Sequence, residues 1–413
     1  AYKAYMNSIL EQESLKAKLN EEKSANSAKS EFLSRMSHDL RTPLNGIIGS
    51  SYLALNDDIP IEEVNDYLNK INQSGKYLLS LINDVLDMSR IESGKINIVK
   101  EPFQLQEVIQ NVILLIEGQT RVKKQELQIQ IDERVQGTYI GDALRIHQIL
   151  MNLLTNAVKY TEEEGQVSLC ITPIRQAQDV MWTRIMVKDN GIGMSKEFQN
   201  KIFEPFEQER QNGGRVFEGS GLGLAIVQNL IHMMGGSISV ESSQGEGSCF
   251  TVILPMKKAE PCQETELPHE EDTAPDTRNY QGERILLVED SDLNREIAQT
   301  ILEMRGLKVD TAENGKLAVE KFNRSVPGTY QAILMDIRMP VMDGLQATKK
   351  IREGTHPEAK HIPIIAMTAN AFENERQEAG RMGVDEYLTK PIDQDQLFHT
   401  LDKVLRDTDV QLR

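Results

Sequence analysis

The sequence predicts a multidomain protein built from an antiparallel helical hairpin, a mixed α/β region and a parallel sheet wrapped by helices. With 413 residues the chain is too long for one ordinary hydrophobic core, because single domains average roughly 150 residues. Apolar residues recur at helical spacing up to about residue 98, whereas short apolar runs alternate with helical segments beyond residue 283. We therefore expect several domains of different architecture.

The composition is that of a globular protein with an acidic surface. Acidic side chains number 63 and basic ones 46, so the formal net charge is −17. Such a surface repels phosphate backbones, and we expect no direct contact with nucleic acid. The three cysteines form no CxxC pair, which is typical of free thiols in a reducing compartment.

The sequence contains neither a signal peptide nor a stretch of about 18 apolar residues, so we expect no membrane span in this chain. The first residue is Ala1 rather than Met, and the chain opens within a polar helical segment. We interpret it as a cytoplasmic fragment of a longer protein, associated with a membrane only through a missing upstream portion.

The N-terminal 98 residues are predicted to be helical. Residues 1–30 contain no Gly or Pro and only a weak heptad, which fits either a short coiled coil or a solvated helix. Residues 31–98 carry two stronger apolar stripes separated by a polar segment around Pro60, which predicts a hairpin. Two helices cannot cover both stripes, so we expect a second copy to complete a four-helix bundle.

The rest of the chain divides into two folded regions and a linker. Residues 99–257 mix strand-like segments with strong helical stretches at 142–159 and 222–234. The strand-like segments are 127–131, 167–171, 185–187, 237–240 and 250–254. Residues 258–282 contain three prolines among acidic and polar residues and are predicted to be a flexible acidic linker.

Chemically active side chains follow four apolar runs of the C-terminal region. Glu289 and Asp290 follow the first run, Asp336 the second, Thr368 the third and Lys390 the fourth. The carboxyl ends of parallel strands share one edge of a sheet, so these side chains should converge. Three neighbouring carboxylates need a cation, and an all-oxygen set suits Mg²⁺, while the ammonium and hydroxyl groups complete a clamp on a phosphoryl group.

This set resembles the receiver domains of response regulators. The resemblance implies a doubly wound (βα)5 fold for residues 283–413. By the same resemblance Asp336 is the phosphoacceptor, and Glu289 and Asp290 hold Mg²⁺ together with the backbone carbonyl group of Arg338.

His38 lies in the string SHDLRTPLNG on the first hairpin helix, on the polar side of the apolar stripe, so its ring should face solvent. A lone helical histidine is usually structural or simply exposed. A neutral imidazole can also attack a γ-phosphate, with Asp39 taking or orienting the ring proton. The string resembles the phosphoacceptor box of histidine kinases, which implies that Thr42 positions water for reverse phosphatase activity.

Asn152, Asn156 and Lys159 share one helix face by their spacing of four and three residues. Two amides and an ammonium group would be costly in a core, and they suit Mg²⁺ and triphosphate binding. The strings DNGIGM and GSGLGL place glycines after a strand and before a helix, where backbone N–H groups can approach phosphate. A Rossmann site and a P-loop are excluded, because neither motif occurs in its required context.

Together these strings resemble the nucleotide-binding boxes of histidine kinases, whose domain is an α/β two-layer sandwich of the wider gyrase and MutL-type ATPase fold. By that resemblance Asn156 binds Mg²⁺, Asn152 and Lys159 contact phosphates, Tyr160 borders the nucleotide and Asp189 reads the adenine amino group. The other cofactor-binding residues come from the glycine strings and the stretch between them: Gly191, Gly193, Arg215, Gly219, Gly221 and Gly223.

Taken over nearly its whole length, the chain resembles a hybrid sensor histidine kinase. That resemblance implies a signalling helix (1–30), a dimerisation and histidine phosphotransfer domain (31–98), a catalytic ATP-binding domain (99–257) and, after the linker, a receiver domain. It implies Mg-ATP-dependent autophosphorylation of His38, transfer to Asp336 and relay to a separate histidine phosphotransfer protein or response regulator.

Two other functions fit parts of the same sequence pattern. The first is a non-relay ATPase of the gyrase or MutL class, which needs no phosphoacceptor helix and therefore leaves the string around His38 unexplained. The second is a catalytically silent scaffold whose receiver serves only as an interaction or feedback module. The intact nucleotide and acceptor residues argue against that scaffold.

Overall fold

The computed structural model describes residues 36–56, 59–209, 220–259, 280–368 and 382–411. The chain forms two compact units, residues 1–264 and 265–413. The predicted helix over residues 1–30, most of the predicted linker, Arg215 and Gly219 lie outside the described residues. No helix in the described ranges is long and apolar enough to cross a bilayer.

The first unit begins with the predicted helical hairpin. Helix α1 spans residues 36–54 and helix α2 spans Ile61–Glu92. Helix α2 follows Pro60 and carries Glu62 and Glu63 in its first turn, where carboxylates face the positive end of the helix dipole. The prediction of two amphipathic helices over this region is confirmed.

The mixed α/β part of the first unit is a seven-stranded sheet with helices packed on it. The strand order is β1-β3-β7-β5-β4-β2, and β6 pairs with β7. The strands are β1 (Glu101–Gln104), β2 (Glu126–Ile131), β3 (Thr138–Gly141), β4 (Gln166–Ala177), β5 (Val180–Asp189), β6 (Ser237–Ser243) and β7 (Gly247–Lys258). The predicted strands are all present, and β4, β5 and β7 extend well beyond the predicted segments.

Three long helices cover this sheet: α3 (Leu105–Val122), α4 (Ala143–Tyr160) and α6 (Gly223–Met233), with the short α5 (Lys196–Gln199) before α6. Alternate residues of β5 and β7 are buried and join the apolar faces of these helices in one core. The domain is therefore a layer of helices on a layer of strands. Asp142 begins α4 by accepting a bond from the backbone N–H of Arg145.

The second unit is a parallel five-stranded sheet with the order β12-β11-β10-β8-β9. Its strands are β8 (Arg284–Val288), β9 (Lys308–Ala312), β10 (Ala332–Asp336), β11 (Ile364–Thr368) and β12 (Glu386–Thr389). Its described helices are α7 (Asp292–Met304), α8 (Gly315–Arg324), α9 (Gly344–Arg352) and α10 (Gln394–Gln411).

Both faces of this sheet are covered. Ile285 and Leu287 of β8 belong to one apolar cluster, while the alternating Leu286 and Val288 belong to another. The predicted doubly wound architecture is confirmed. The neighbours of β8 are β9 and β10, so the strand order reverses beside β8, which is where open α/β sheets bind ligands.

Candidate functional site

His38 lies on α1 with its side chain 79% exposed. Its Nδ1 atom is 3.2 Å from the Oδ1 atom of Asp39, and the Thr42 hydroxyl group donates a bond of 3.3 Å to the His38 carbonyl oxygen one turn away. A carboxylate beside Nδ1 favours the tautomer that carries its proton there. The Nε2 atom then has a lone pair for nucleophilic attack.

A large cavity opens in the first unit between α2, α4 and the loops before α6. Its empty space is about 1450 Å³, part of it open to solvent. Eight of the predicted nucleotide residues line it: Asn152, Asn156, Lys159, Tyr160, Asp189, Gly193, Gly221 and Gly223.

Helix α4 divides its two faces between core and cavity. Leu153, Leu154, Ala157 and Val158 are buried in the core of the domain. Asn152, Asn156, Lys159 and Tyr160 are partly exposed and line the cavity. The Lys159 ammonium group lies 5.0 Å from the centre of the Tyr160 ring, and burial raises the pKa of Tyr160. Helix α4 thus presents two amide side chains and one cation to the large cavity.

Asp189, the last residue of β5, is buried at the wall of this cavity. Its Oδ1 atom accepts bonds from the backbone N–H groups of Gly191 (2.9 Å) and Ser248 (3.2 Å). Burial raises the pKa of Asp189, and these two bonds lower it. Both bonds use Oδ1, so the second carboxylate oxygen remains an acceptor for a ligand.

Two glycines of the predicted strings adopt positive φ angles and lie against backbone. Gly193 has φ +62°, and an added Cβ atom would lie 1.8 Å from the Ser243 carbonyl oxygen. Gly221 has φ +66°, and its Cβ atom would lie 2.7 Å from the Cα atom of Phe206. Only glycine fits both requirements, so these residues shape the walls of the cavity.

Sequence reasoning missed the contribution of α2 to the cavity. Tyr77, Ser80, Leu81 and Asp84 of the hairpin line it beside the α4 residues. The sequence signals only an apolar helical stripe here, and a single acid on such a helix usually reads as solvated. A second contact lies nearby, where Gln148 of α4 donates a bond of 2.8 Å to Asp87.

The helix turn that carries His38 lies beside the mixed α/β domain. A smaller cavity is shared by Met36 and Asp39 of α1 and by Phe206, Ser220 and Leu222. Ser220 and Gly221 also line the large cavity. Asp39, the residue next to His38, therefore shares a small cavity with Ser220 of the turn that borders the large cavity.

In the second unit the predicted acids converge. Glu289, Asp290 and Asp336 offer carboxylate oxygens that all lie within 4.8 Å of one another. Glu289 and Asp336 are buried, whereas Asp290 is exposed. Hard carboxylate oxygens beside an open side are the ligands that Mg²⁺ prefers, so the residues present fit this ion. The backbone N–H group of Arg338 donates 3.1 Å to Asp336.

Lys390 joins these acids, its ammonium group lying 2.5 Å from Glu289 and 2.6 Å from Asp336. Burial lowers the pKa of Lys390, but its bonds to Asp336 and Glu289 outweigh that effect and the pKa is raised. Burial also raises the pKa of Asp336, against the lowering effect of Lys390. The backbone N–H group of Lys390 donates a bond of 2.7 Å to the backbone carbonyl oxygen of Thr368, and this bond aligns the ends of β11 and β12.

Three regions of the chain match known protein families. Residues 28–94 match the His Kinase A (phospho-acceptor) domain, residues 141–258 match the histidine kinase-, DNA gyrase B- and HSP90-like ATPase family, and residues 285–402 match the response regulator receiver domain.

Several curated proteins are similar over most of the chain. The Sensory/regulatory protein RpfC of Xanthomonas campestris is 34% identical over 93% of this chain and 55% of its own length. The Autoinducer 2 sensor kinase/phosphatase LuxQ of Vibrio vulnificus is 35% identical over 95% of this chain and 44% of its own. The Aerobic respiration control sensor protein ArcB of Escherichia coli is 34% identical over 88% and 45%. The chain thus spans about half the length of these relatives.

Among solved structures, the crystal structure of ShkA full-length in complex with AMPPNP is similar. It is 24% identical, covers 90% of this chain and 99% of its own, and has a TM-score of 0.44. A similarity at this level supports no functional conclusion.

Proposed function

The chain belongs to the hybrid sensor histidine kinases, and on that premise we propose that it transfers the γ-phosphoryl group of ATP to His38 and passes it to Asp336. The observation that carries this proposal is that Asp39, beside His38, shares a small cavity with Ser220, which also borders the large cavity. Donor site and acceptor helix thus belong to one compact unit.

At the first step, the Nε2 atom of His38 attacks the γ-phosphorus. A P–N bond forms, the bond to the leaving ADP oxygen breaks, and the proton on Nδ1 is held by the Asp39 carboxylate at 3.2 Å. The exposure of the ring leaves room for an approach in line with the leaving group. Asp39 is therefore assigned the role of orienting and proton-accepting group.

The cavity supplies the nucleotide site. Asp189 accepts a bond from the adenine amino group, Tyr160 borders the nucleotide, and Asn152 and Lys159 contact phosphates. Asn156 would hold Mg²⁺, which neutralises phosphate charge when bound. Gly193, Gly221 and Gly223 form the walls, and the backbone N–H group of Gly191 holds the Asp189 carboxylate. Arg215 and Gly219 stay predictions from the sequence.

The receiver site completes the transfer. A carboxylate oxygen of Asp336 attacks the phosphorus of phospho-His38, so the P–N bond breaks and an acyl phosphate forms. Glu289 and Asp290 would hold Mg²⁺ with the carbonyl group of Arg338, and the ion supplies charge neutralisation there. Lys390 and Thr368 contact the transferred group.

The chain acts with partners in this proposal. Exposed apolar residues on both hairpin helices support a homodimer through a four-helix bundle. Leu293, Ile297 and Met304 form an exposed apolar face on α7, just after Asp290, that suits docking of a histidine phosphotransfer protein or response regulator. Reverse phosphatase activity through Thr42 is supported by the relative LuxQ, whose name joins both activities.

Radiolabelled ATP tests the relay. The wild-type chain should carry an acid-labile phosphohistidine and an alkali-labile acyl phosphate. His38→Gln should lose both labels, whereas Asp336→Asn should keep the label on His38. The exposed His361 provides a matched control, and His361→Gln should label as wild type does. Undiminished labelling of His38→Gln would rule out the relay.

A further inference from the structure

The C-terminal end of α4 is held from behind by a lysine that does not line the nucleotide cavity. The Nζ atom of Lys123, in the turn between α3 and β2, lies 2.9 Å from the carbonyl oxygen of Val158, 3.0 Å from that of Lys159 and 3.1 Å from that of Thr161. An ammonium group has three N–H donors, so Lys123 can satisfy all three acceptors at once.

Gln125 reinforces the same end of the helix. Its side-chain amide nitrogen lies 3.1 Å from the Val158 oxygen, 2.8 Å from the Thr161 oxygen and 3.1 Å from the Glu162 oxygen. Its side chain is buried, with 8% of the residue exposed. The last carbonyl groups of a helix have no partners within the helix and carry the negative end of its dipole. A cation and an amide donor at this position therefore fix the end of α4.

The opposite side of this helix end is also fixed. The Tyr160 carbonyl oxygen accepts a bond of 3.2 Å from the backbone N–H of Ile192. A Cβ atom at Gly191 would lie only 2.3 Å from the same oxygen, so the two backbones are in close contact. The last turn of α4 is thus held between Lys123 and the loop that follows Asp189.

We propose that Lys123 is a positioning residue for nucleotide and Mg²⁺ binding, an inference that rests on the proposed roles of Asn156, Lys159 and Asp189. Lys123 bonds to the backbone of Lys159 itself, and Asn156 lies one turn earlier. The Lys123 contacts therefore help to hold these side chains in place relative to Asp189, together with those of Gln125 and Ile192. Residues that orient ligands from behind commonly change affinity or activity by about 10- to 100-fold when removed.

Lys123→Met in the full chain tests this role. The variant keeps the aliphatic stem and loses the three bonds. We expect the KM for Mg-ATP in His38 labelling to rise about tenfold, and the Mg²⁺ concentration needed to bind a fluorescent ATP analogue to rise with it. Lys124→Met removes the same charge from the exposed neighbouring residue and should leave both values within about twofold of wild type. An unchanged KM in folded Lys123→Met would overturn the proposal.

Lys123→Arg separates positioning from a general loss of stability. A guanidinium group can still donate to several carbonyl oxygens, so this variant should restore most of the KM. If Lys123→Met does not fold, Gln125→Met provides the test. We expect its KM for Mg-ATP to rise about threefold to tenfold, and an unchanged KM would contradict the proposal. A lowered melting temperature with a normal KM would assign Lys123 a purely structural role and contradict the proposal.

Asn156→Ala distinguishes failure of this inference from failure of the proposed site. If Asn156→Ala binds Mg-ATP as wild type does, the proposed nucleotide site is wrong. If Asn156→Ala is impaired while Lys123→Met is not, the site stands and only the positioning role is lost.

Discussion

The Asp84 carboxylate on α2 accepts a hydrogen bond of 2.8 Å from the hydroxyl group of Ser220, which lies just before α6. Burial raises the pKa of Asp84 to about 6; the Ser220 bond lowers it and the neighbouring Asp87 raises it. Both residues line the large cavity. The charge state of one carboxyl group is therefore coupled to the packing of the hairpin helix against the glycine turn.

Asp84→Asn should remove a pH dependence of stability. The pKa of Asp84 in the folded chain, about 6, exceeds its ordinary value of 3.8, so its contribution to stability is complete below pH 3.8 and declines as the pH rises through 6. Asparagine keeps an acceptor for Ser220 and has no charge. At about pH 8 the variant should be more stable by at most about 3 kcal/mol, and the difference should shrink towards about pH 5.

Urea unfolding of the full chain across this pH range measures the difference. Asp66→Asn is the matched control, because Asp66 is an exposed acid on the same helix. A stability difference between Asp84→Asn and wild type that stays constant with pH would refute the linkage.

Asp189→Asn should weaken nucleotide binding without unfolding the domain. The amide oxygen can still accept from Gly191 and Ser248, but the second position becomes an N–H donor, which in the proposed site would face the adenine amino group. Two opposed donors leave a buried group unpaired, which costs about 1–3 kcal/mol, or about 5- to 150-fold in affinity. Calorimetric titration with an ATP analogue gives this change. Asp179→Asn is the control, because Asp179 is an exposed acid paired with Lys257, and it should bind the ATP analogue as wild type does. Wild-type affinity in Asp189→Asn would contradict the proposed contact between Asp189 and adenine.

The receiver acids and the α4 face could be predicted because the signal is local. Parallel strands end at one edge, so residues that directly follow apolar runs, such as Glu289 and Asp336, converge whatever the loops do. Helical spacing likewise places Asn152 and Asn156 on one face. Their positions depend on secondary structure and little else.

The residues that sequence reasoning missed depend on packing between distant segments. Asp84 and Ser220 are 136 residues apart, and no local pattern indicates that this acid is partly buried against the other segment. Lys123 in a turn reads as a solvated cation until α4 is placed against it. Helix α3 was not predicted, because its many β-branched residues favour strands locally. Its helical structure is stabilised by packing against α4 and the sheet.

Lys390→Met should destabilise the second unit in Mg²⁺-free buffer. Glu289 and Asp336 are buried, and Lys390 is the cation between them. Removing one partner of a buried ion pair costs about 3–5 kcal/mol, and the carboxylates left behind repel each other. Added Mg²⁺ should therefore raise the melting temperature of the variant more than that of wild type.

Lys403→Met is the control, because it removes a more exposed cation that is paired with Glu386. It should change neither the melting temperature nor its response to Mg²⁺. A melting temperature that does not respond to Mg²⁺ in either protein would contradict a metal site among these acids.

Ile48→Glu should dissociate the proposed dimer. Leu44, Ile48 and Tyr52 recur every four residues on α1 and are exposed, Ile48 by 59%, as are Ile82 and Leu86 on α2. An apolar stripe of this length is stable in water only when a second surface covers it, and a buried unpaired carboxylate at its centre is costly.

Sedimentation velocity should show the wild-type chain as a dimer and Ile48→Glu largely as a monomer, with the dissociation constant raised at least about a hundredfold. Ile297→Glu places the same charge at an isoleucine that is 50% exposed on α7 of the second unit, and that variant should stay dimeric. The apolar stripe lies only on the hairpin helices. If the dimer persists in Ile48→Glu and is lost in Ile297→Glu, the interface lies on the receiver domain and the proposed four-helix bundle is wrong.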